Sequence, residues 1–290
     1  MSTLVPPLFE GLVDDASTVP FGGPSIAEAV AVHRTHRAAW YAAFVGPMLV
    51  PASAVVDLAA AGPAAGDHAG GPLVVGLIGD TGIPALPAAL ARTRTSGAVV
   101  RQIEVAVAKR GEDPQPGLAR LSAVAAEEPD LEVYAEIPLT WGLLAALDTV
   151  AAERAAGARI APKFRTGGLA AELFPTPVEL AAVICACRDR ELPFKLTAGL
   201  HHALRHTDPE TGFAHHGFLN VLVAAAVAVD GAEVADVAEV LAATHPLPLV
   251  EPARARRAEL RPLWLGFGAS AVLDPLTDLL KFGLINGGAE

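Results

Sequence analysis

The chain has 290 residues, of which 52% are hydrophobic and 18% are charged, and its formal net charge at pH 7 is −11. This composition excludes an intrinsically disordered chain and predicts a folded protein with a sizeable core. Because 32 Asp+Glu stand against 21 Lys+Arg, the sequence argues against nucleic acid or an anionic membrane surface as a partner.

The N-terminal region predicts mainly helix. Ser25 and Glu28 form a capping box, and the pattern after them predicts a helix to about residue 45. Residues 47–50 give only a weak strand signal. We therefore expect residues 1–60 to be an N-terminal helical segment, followed by a flexible Gly/Ala/Pro loop at 61–72.

Beyond this loop, strand and helix patterns alternate. The predicted strands are 73–80, 98–107, 131–139, 158–168, 193–200 and 263–270, with a doubtful one at 246–250. The predicted helices lie near 84–94, 117–127, 141–156, 176–190, 217–229 and 233–243, and Asp274-Pro275 is predicted to start a last one. Such alternation is typical of βαβ units, so we expect a parallel sheet within a single domain spanning 1–290.

The strand faces distinguish two architectures. In an open doubly wound sheet, strands buried on both faces should be apolar throughout. Here one face of each of four strands is polar at every second position: Gln102 and Glu104; Glu132, Tyr134 and Glu136; Lys163 and Arg165; Lys195 and Thr197. A shared interior that tolerates charge explains this pattern. The sequence therefore favours an α/β fold of the (β/α)8 TIM-like barrel type, irregular or incomplete if the weak strands do not form.

The lysines supply the candidate catalytic group. The chain has 17 arginines but only 4 lysines, and Lys163 and Lys195 lie among apolar neighbours in predicted strands. Burial and a neighbouring cation would lower the pKa of Lys195, making it a base or an imine-forming nucleophile. Glu136 and His201 would complete the catalytic set. The alternative, weighted equally, is a structural lysine paired with Glu136 or Glu104.

A Gly-rich turn supplies the candidate anion site. Arg165 is followed by Thr166, Gly167 and Gly168, and a cation beside free backbone N–H groups suits a carboxylate or phosphate. Further substrate contacts are predicted at the strand ends: Glu104, His202 and Ser270. The alternative is an ordinary βα turn whose bases are ion-paired.

Five of the nine histidines lie between residues 201 and 216, in a loop long enough to act as a lid. One of them could act as an acid, a base or a hydrogen-bond donor. A divalent metal is the alternative, although no HExxH or other tight ligand spacing is present. Its candidate ligands are His201, His206, Asp208, His215 and Asp80.

The location and assembly of the protein follow from weaker signals. The first fifteen residues lack the features of a signal peptide, and the longest apolar stretch, 218–229, is too short to span a bilayer. Cys185 and Cys187 cannot pair with each other on a helix, so we expect a reducing cytoplasm. The apolar stretch would suit a homodimer face.

Three functions remain open at this point. The leading one is a lyase, aldolase or isomerase that acts on a small anionic metabolite by lysine and carboxylate chemistry, with no cofactor required. The second is a metal-dependent hydrolase or lyase built on the histidine loop. The third is a non-enzymatic ligand-binding or scaffold protein whose barrel charges neutralise one another.

Overall fold

The computed structural model describes residues 4–19, 22–60 and 72–287. Eight parallel strands form a closed barrel in which neighbours along the chain are neighbours in the sheet, and the last strand pairs with the first. The barrel strands are β1 (Val13–Asp15), β2 (Val45–Pro51), β3 (Val74–Ile78), β4 (Val99–Ala106), β5 (Glu132–Glu136), β6 (Ile160–Arg165), β7 (Phe194–Thr197) and β10 (Trp264–Ala269). The predicted (β/α)8 barrel is thus confirmed over the open sheet.

Helices connect the strands around the outside of this barrel. They are α1 (Ile26–Ala38), α2 (Val55–Ala60), α3 (Leu86–Thr95), α4 (Gln115–Glu127), α5 (Leu143–Ala155), α6 (Pro177–Arg188), α7 (Phe218–Val229), α8 (Val234–Ala242), α9 (Leu247–Ala255) and α10 (Leu273–Lys281). A two-stranded antiparallel hairpin, β8 (His206–Thr207) with β9 (Ala214–His215), lies in the connection between β7 and α7.

The N-terminal segment needs the largest correction. Residues 1–60 are not simply helical, because β1 and β2 belong to the barrel and β1 closes it against β10. The strand β1 is only three residues long and buried throughout, so it shows no period-two pattern. The capping box of Ser25 and Glu28 forms as predicted, but the helix that it starts ends at Ala38.

Three other predicted elements lie within the described residues. The weak strand at 47–50 is confirmed within β2, but the one at 246–250 is wrong, since α9 begins at Leu247. Proline is tolerated in the first turn of a helix, where its missing N–H has no partner to lose. The last helix begins at Leu273 without a side-chain cap. Residues 61–71 of the predicted loop lie outside the described residues.

Helix α7 contains the apolar stretch that suggested a dimer face. Almost every residue of 218–229 is buried, because this helix packs against α6, α8 and α9. The apolar stretch is therefore explained largely by the core of this chain. Within the described ranges, no helix is both long and apolar enough to cross a membrane.

The barrel interior is polar where the period-two pattern predicted it. Gln102, Glu104, Lys163 and Lys195 are all buried, as is Asp14 on β1. Glycine on the neighbouring strand β3 makes room for them: a Cβ at Gly76 would lie 2.7 Å from Cγ of Gln102. The small residue is thus a consequence of the large polar side chain that it faces.

Candidate functional site

Six charged side chains form a continuous chain of alternating sign across the barrel. We call it the ionic chain, and its members in spatial order are Asp14, Lys195, Glu104, Lys163, Glu136 and Arg165. Its three carboxylates and three cations have no net charge when all are ionised. Of these six residues, Asp14 was not among those that the sequence predicted for the site.

The contacts within the ionic chain are close. Lys195 contacts both Asp14 and Glu104 through Nζ. Nζ of Lys163 lies 2.8 Å from Oε2 of Glu104 and 3.0 Å from Oε2 of Glu136. At the outer end, Nη2 of Arg165 lies 3.0 Å from Oε1 of Glu136. Each lysine is therefore held between two carboxylates.

Two uncharged side chains support the buried end of the ionic chain. Gln102 donates from Nε2 to Oδ2 of Asp14 at 2.7 Å and to Oε1 of Glu104 at 2.9 Å. The ring of Tyr134 lies against Lys195, with Nζ 4.6 Å from the ring centroid, and burial raises the pKa of this tyrosine to about 12. Both contacts favour the charged form of their neighbour.

The lysines are consequently protonated. Burial lowers the pKa of Lys163, but the carboxylates of Glu104 and Glu136 outweigh burial and raise it above its ordinary value. Burial opposes the charge on Lys195 in the same way, yet Asp14 and Glu104 raise its pKa. The expectation that a neighbouring cation would lower the pKa of Lys195 is wrong, because Glu104 lies between the two lysines.

The pKa values of the three carboxylates are shifted in different directions. Although burial raises the pKa of Glu104, contacts from Lys163 and Lys195 lower it to about 2. Burial also opposes the charge on Glu136, and Lys163 and Arg165 lower its pKa. Burial raises the pKa of Asp14 against the pull of Lys195. Asp14 is therefore the carboxyl of the ionic chain whose pKa is raised rather than lowered.

A cavity of about 590 Å³ opens at the C-terminal end of the barrel, and we call it the α5–α6 pocket. Its walls come from the segments that follow β4, β5 and β6 and from the facing sides of α5 and α6. Most of the lining is apolar, including Leu139, Leu143, Leu173, Phe174, Val183 and Ala186. Its volume lies within the range of small-molecule sites.

Glu136 and Arg165 line this pocket and are also the last two members of the ionic chain. No other member of the ionic chain lines it. From Glu104 outwards, side-chain exposure rises along the ionic chain, from 1% for Glu104 to 17% for Glu136 and 43% for Arg165. A ligand in the pocket would therefore meet the buried charges at this pair.

Two hydrogen bonds between loops fix the rim of the pocket. Arg110 donates from Nη1 to the carbonyl oxygen of Glu172 at 3.1 Å, which joins the loop after β4 to the loop after β6. Trp141 donates from Nε1 to the carbonyl oxygen of Gly111 at 3.0 Å, which joins the loops after β4 and β5. Arg110 forms no salt bridge within the part of the chain that the structure describes.

In the predicted anion-binding turn at 166–168, Thr166 is engaged by the protein itself. The backbone N–H of Thr166 donates to the carbonyl oxygen of Thr197 at 2.9 Å, and its hydroxyl donates to that of Ala198 at 2.6 Å. Gly167 packs against Gly199, where a Cβ would lie 3.0 Å from the neighbouring Cα. Thr166 and Gly167 thus hold β6 to β7, and Gly168 lies at the exposed start of the next loop.

This junction contains an unusual backbone conformation. Ala198 has a φ of +65°, a region that residues with a Cβ rarely adopt. Such strain persists only where surrounding contacts enforce it, and it concentrates at functional sites. The Thr166 hydroxyl supplies one such contact at the C-terminal end of β7, three residues beyond Lys195.

The histidine loop folds against the wall of the pocket. The rings of His206 and His215 stack across the β8–β9 hairpin with centroids 5.3 Å apart, and His202 meets His206 at 4.8 Å. The ring of Phe174, which lines the pocket, lies 4.8 Å from that of His215. His201 lies among these histidines, and burial lowers its pKa. Neither His201 nor His202 lines the pocket.

His216 has a structural position. It is fully buried, donates from Nε2 to the carbonyl oxygen of Pro175 at 2.8 Å, and accepts from Arg205 at Nδ1. These partners fix the neutral tautomer with the proton on Nε2, and burial lowers the pKa to about 4. His216 thereby anchors the histidine loop to the loop before α6.

The candidate metal ligands do not form a metal-binding group within the described residues. Among residues 4–19, 22–60 and 72–287, no group of three His, Cys, Asp or Glu side chains could hold a metal ion. Asp80 accepts a hydrogen bond from the backbone N–H of Ser53 at 3.1 Å, on the other side of the barrel. Asp208 caps its own turn by accepting from the N–H of Thr211 at 2.7 Å. Ser270 is exposed beyond β10, away from the pocket lining.

Two site residues escaped the sequence analysis. Asp14 lies in β1, which was not predicted as a strand, although the pair Asp14-Asp15 after an apolar run was an available signal. Arg110 lies in a polar loop where nothing in the local pattern distinguishes it from a solvated arginine. Outside this site, His33 on α1 is also buried, with Nδ1 3.0 Å from Oδ2 of Asp15.

Comparisons with known proteins add no further constraint: no protein-family model, curated protein or solved structure matches this chain.

Proposed function

We propose that this protein is an acid–base enzyme of the lyase or isomerase type, which removes a proton next to the carbonyl group of a small carboxylate. The observation that carries this proposal is the Glu136–Arg165 pair, where the ionic chain meets the α5–α6 pocket. Arg165 would bind the anionic group of the substrate, and Glu136 would accept the proton.

The energetic cost of the ionic chain supports a functional role. Moving a charged group out of water costs several kcal/mol per ion, and well-packed apolar residues often stabilise a core as well as a buried ion pair does. Clusters of buried titratable groups beside a cavity are typical of catalytic sites. Four of the six members here are almost completely buried in the barrel interior, and the other two, Glu136 and Arg165, end their strands on the side where barrel enzymes act.

The exchange of partners at Arg165 would activate the base. In the free protein, Arg165 helps to keep the pKa of Glu136 low, which makes this carboxylate a weak base. A substrate carboxylate that binds Arg165 would take this cation from Glu136 and add a negative charge nearby. Both changes raise the pKa of Glu136, so the base becomes stronger only when substrate is bound.

The proton transfer can then be written in full. The C–H bond of the substrate breaks, an O–H bond forms on Glu136, and the electron pair moves to the substrate carbonyl oxygen. The guanidinium of Arg165 stabilises this enolate. Return of the proton to another carbon gives an isomerase, whereas loss of a neighbouring leaving group gives a lyase. Lys163 holds Glu136 at 3.0 Å and is a positioning residue.

The paired lysines favour this acid–base form of the hypothesis over imine formation. An imine requires a neutral amine as the nucleophile, and both lysines carry raised pKa values between two carboxylates. A second candidate function is supported by the same pairing: a non-enzymatic binding protein, in which the ionic chain is purely structural and only the pocket acts.

Hydrogen–deuterium exchange into candidate substrates tests the proposal. The protein is incubated in D2O with small oxo acids such as pyruvate, 2-oxobutanoate and acetoacetate, and loss of C–H signal is followed by proton NMR. We expect exchange above the buffer rate for at least one compound. Because general acid–base groups contribute roughly 10²- to 10⁴-fold, Glu136→Gln should reduce that rate by a factor of about 100 or more.

Glu172→Gln is the matched control, since Glu172 lines the pocket but lies outside the ionic chain. It should retain exchange at nearly the rate of the unmodified protein. If a carboxylate binds at Arg165 but no compound exchanges, the non-enzymatic function is favoured. Equal rates in the two Gln variants would exclude Glu136 as the base.

A further inference from the structure

We propose that the α5–α6 pocket selects a carboxylate with an extended apolar body, such as a medium-length hydrocarbon chain, over a sugar phosphate or another polar anion. This inference rests on the proposed function, because it assigns the anionic end of the same ligand to Arg165. It adds the class of substrate and the place of its apolar part.

The shape of the lining carries the first step. Besides Glu136 and Arg165, the lining comes from the segments after β4, β5 and β6, from the start of α5 and from one side of α6. The α5 side contributes Leu143 and Leu144, and the α6 side contributes small residues, Ala182 and Ala186, with Val183 between them. Small residues on α6 leave the space that an apolar chain would fill.

The charged and apolar residues of the pocket come from different elements. The cations of the pocket are Arg165 at the end of β6 and Arg110 on the loop after β4, whereas the α5 and α6 residues of the lining are apolar except for Glu179. Glu179 is already engaged as the capping residue of α6, where it accepts from the N–H of Thr176 at 2.7 Å. A ligand that is anionic at one end and apolar at the other complements this arrangement.

The polar demands of a sugar phosphate provide the contrast. Several hydroxyl groups of a sugar would need hydrogen-bond partners along the body of the pocket, and buried polar groups without partners are costly. The leucine, valine and alanine side chains there offer none. The α5 and α6 side of the pocket therefore favours an apolar body, while Arg165 recognises charge.

Hydrogen bonds join the loops around the pocket to one another. The hydrogen bonds from Arg110 to Glu172 and from Trp141 to Gly111 join the three loops that form its mouth. A cavity that exists before binding lowers the conformational cost of binding. An apolar chain would thus enter a prepared site without first separating α5 from α6.

Calorimetric titration with straight-chain carboxylates tests the inference on the full chain. The probes are acetate, butanoate, hexanoate and octanoate, with glucose 6-phosphate as the polar anion. Since each buried methylene contributes about 0.8 kcal/mol, affinity should rise roughly fourfold per added carbon until the pocket is full. Glucose 6-phosphate should bind more weakly than hexanoate.

Ala182→Phe places a large side chain in the pocket, and it should weaken octanoate binding by about tenfold or more while leaving acetate unchanged. The matched control is Ala152→Phe, at an exposed position on α5 outside the pocket, which should bind all four carboxylates normally. Arg165→Met should weaken every carboxylate by a similar factor.

The outcomes separate the two proposals. If carboxylates bind and depend on Arg165 but affinity does not rise with chain length, the apolar-body inference is overturned and the proposed function stands. A rise that Ala182→Phe leaves intact also overturns the inference, because the chain would then lie elsewhere. If no carboxylate of any length binds, both proposals fail together.

Discussion

Glu104 shows how the sequence and the site are related at the scale of single residues. It is 1% exposed and contacts both buried lysines, so it was correctly singled out by the period-two pattern. The predicted contact with substrate stays a prediction, and Glu104 does not line the pocket. Periodicity identifies which face of a strand a residue occupies, but it does not reveal which charge lies between which others.

Lys195→Met tests the pairing directly. The substitution leaves Asp14 and Glu104 as neighbouring buried carboxylates without their shared cation. Removal of one partner from a buried ion pair typically costs about 3–5 kcal/mol, so we expect a loss of that order in the free energy of unfolding at pH 7, measured by urea denaturation. The double variant Lys195→Met/Asp14→Asn should recover part of this lost stability, because it also removes one of the two carboxylates.

The control for this comparison is Arg159→Met, which breaks the surface pair with Glu132, where both side chains are partly exposed. An exposed pair contributes about 1 kcal/mol or less. If Lys195→Met lowers the free energy of unfolding no more than this control does, Lys195 is not a buried cation paired with Asp14 and Glu104.

Among the elements, the connection between β7 and α7 departs most from an ordinary barrel. It was predicted as a long functional loop because of its length and five histidines, and the hairpin β8–β9 was not foreseen because each of its strands has only two residues. The same limit applies to β1. Short strands give too few positions for a pattern, and their pairing is decided by tertiary contacts.

The pH dependence of stability tests how this loop is anchored. His216 has a pKa of about 4 in the folded protein, against about 6.5 in an unfolded chain. The unfolded state therefore binds more protons below pH 6.5, so the stabilisation is complete above that pH and is lost as the pH falls towards 4. Between pH 7 and pH 5 this group should account for about 2 kcal/mol.

Urea denaturation of His216→Gln at both pH values provides the measurement. The variant should be less stable than the unmodified protein at pH 7 and lose about 2 kcal/mol less on acidification. The control is His245→Gln, at an exposed histidine, and it should lose as much stability between pH 7 and pH 5 as the unmodified protein does. A variant that loses as much stability as the unmodified protein would show that His216 is not held neutral.

At the scale of the whole molecule, the closed barrel was predictable and the pocket was not. Alternating strands and helices indicated βαβ units, and polar strand faces at Gln102, Glu136 and Lys163 indicated a shared interior. The α5–α6 pocket depends instead on the gap between two packed helices and three loops, which no local pattern encodes. The homodimer stays a prediction, and most of α7, the helix that suggested it, is buried within its own chain.

The central claim for the whole molecule is that a ligand carboxylate takes Arg165 from Glu136 and raises the pKa of that base. The most direct measurement is a carbon NMR titration of protein labelled at the glutamate carboxyl carbons, with Glu136→Gln for assignment, in the presence and absence of saturating hexanoate. We expect Glu136 to stay ionised in the free protein down to acidic pH and to titrate at a clearly higher pH with hexanoate bound. An unchanged titration of Glu136 at saturation would contradict the claim.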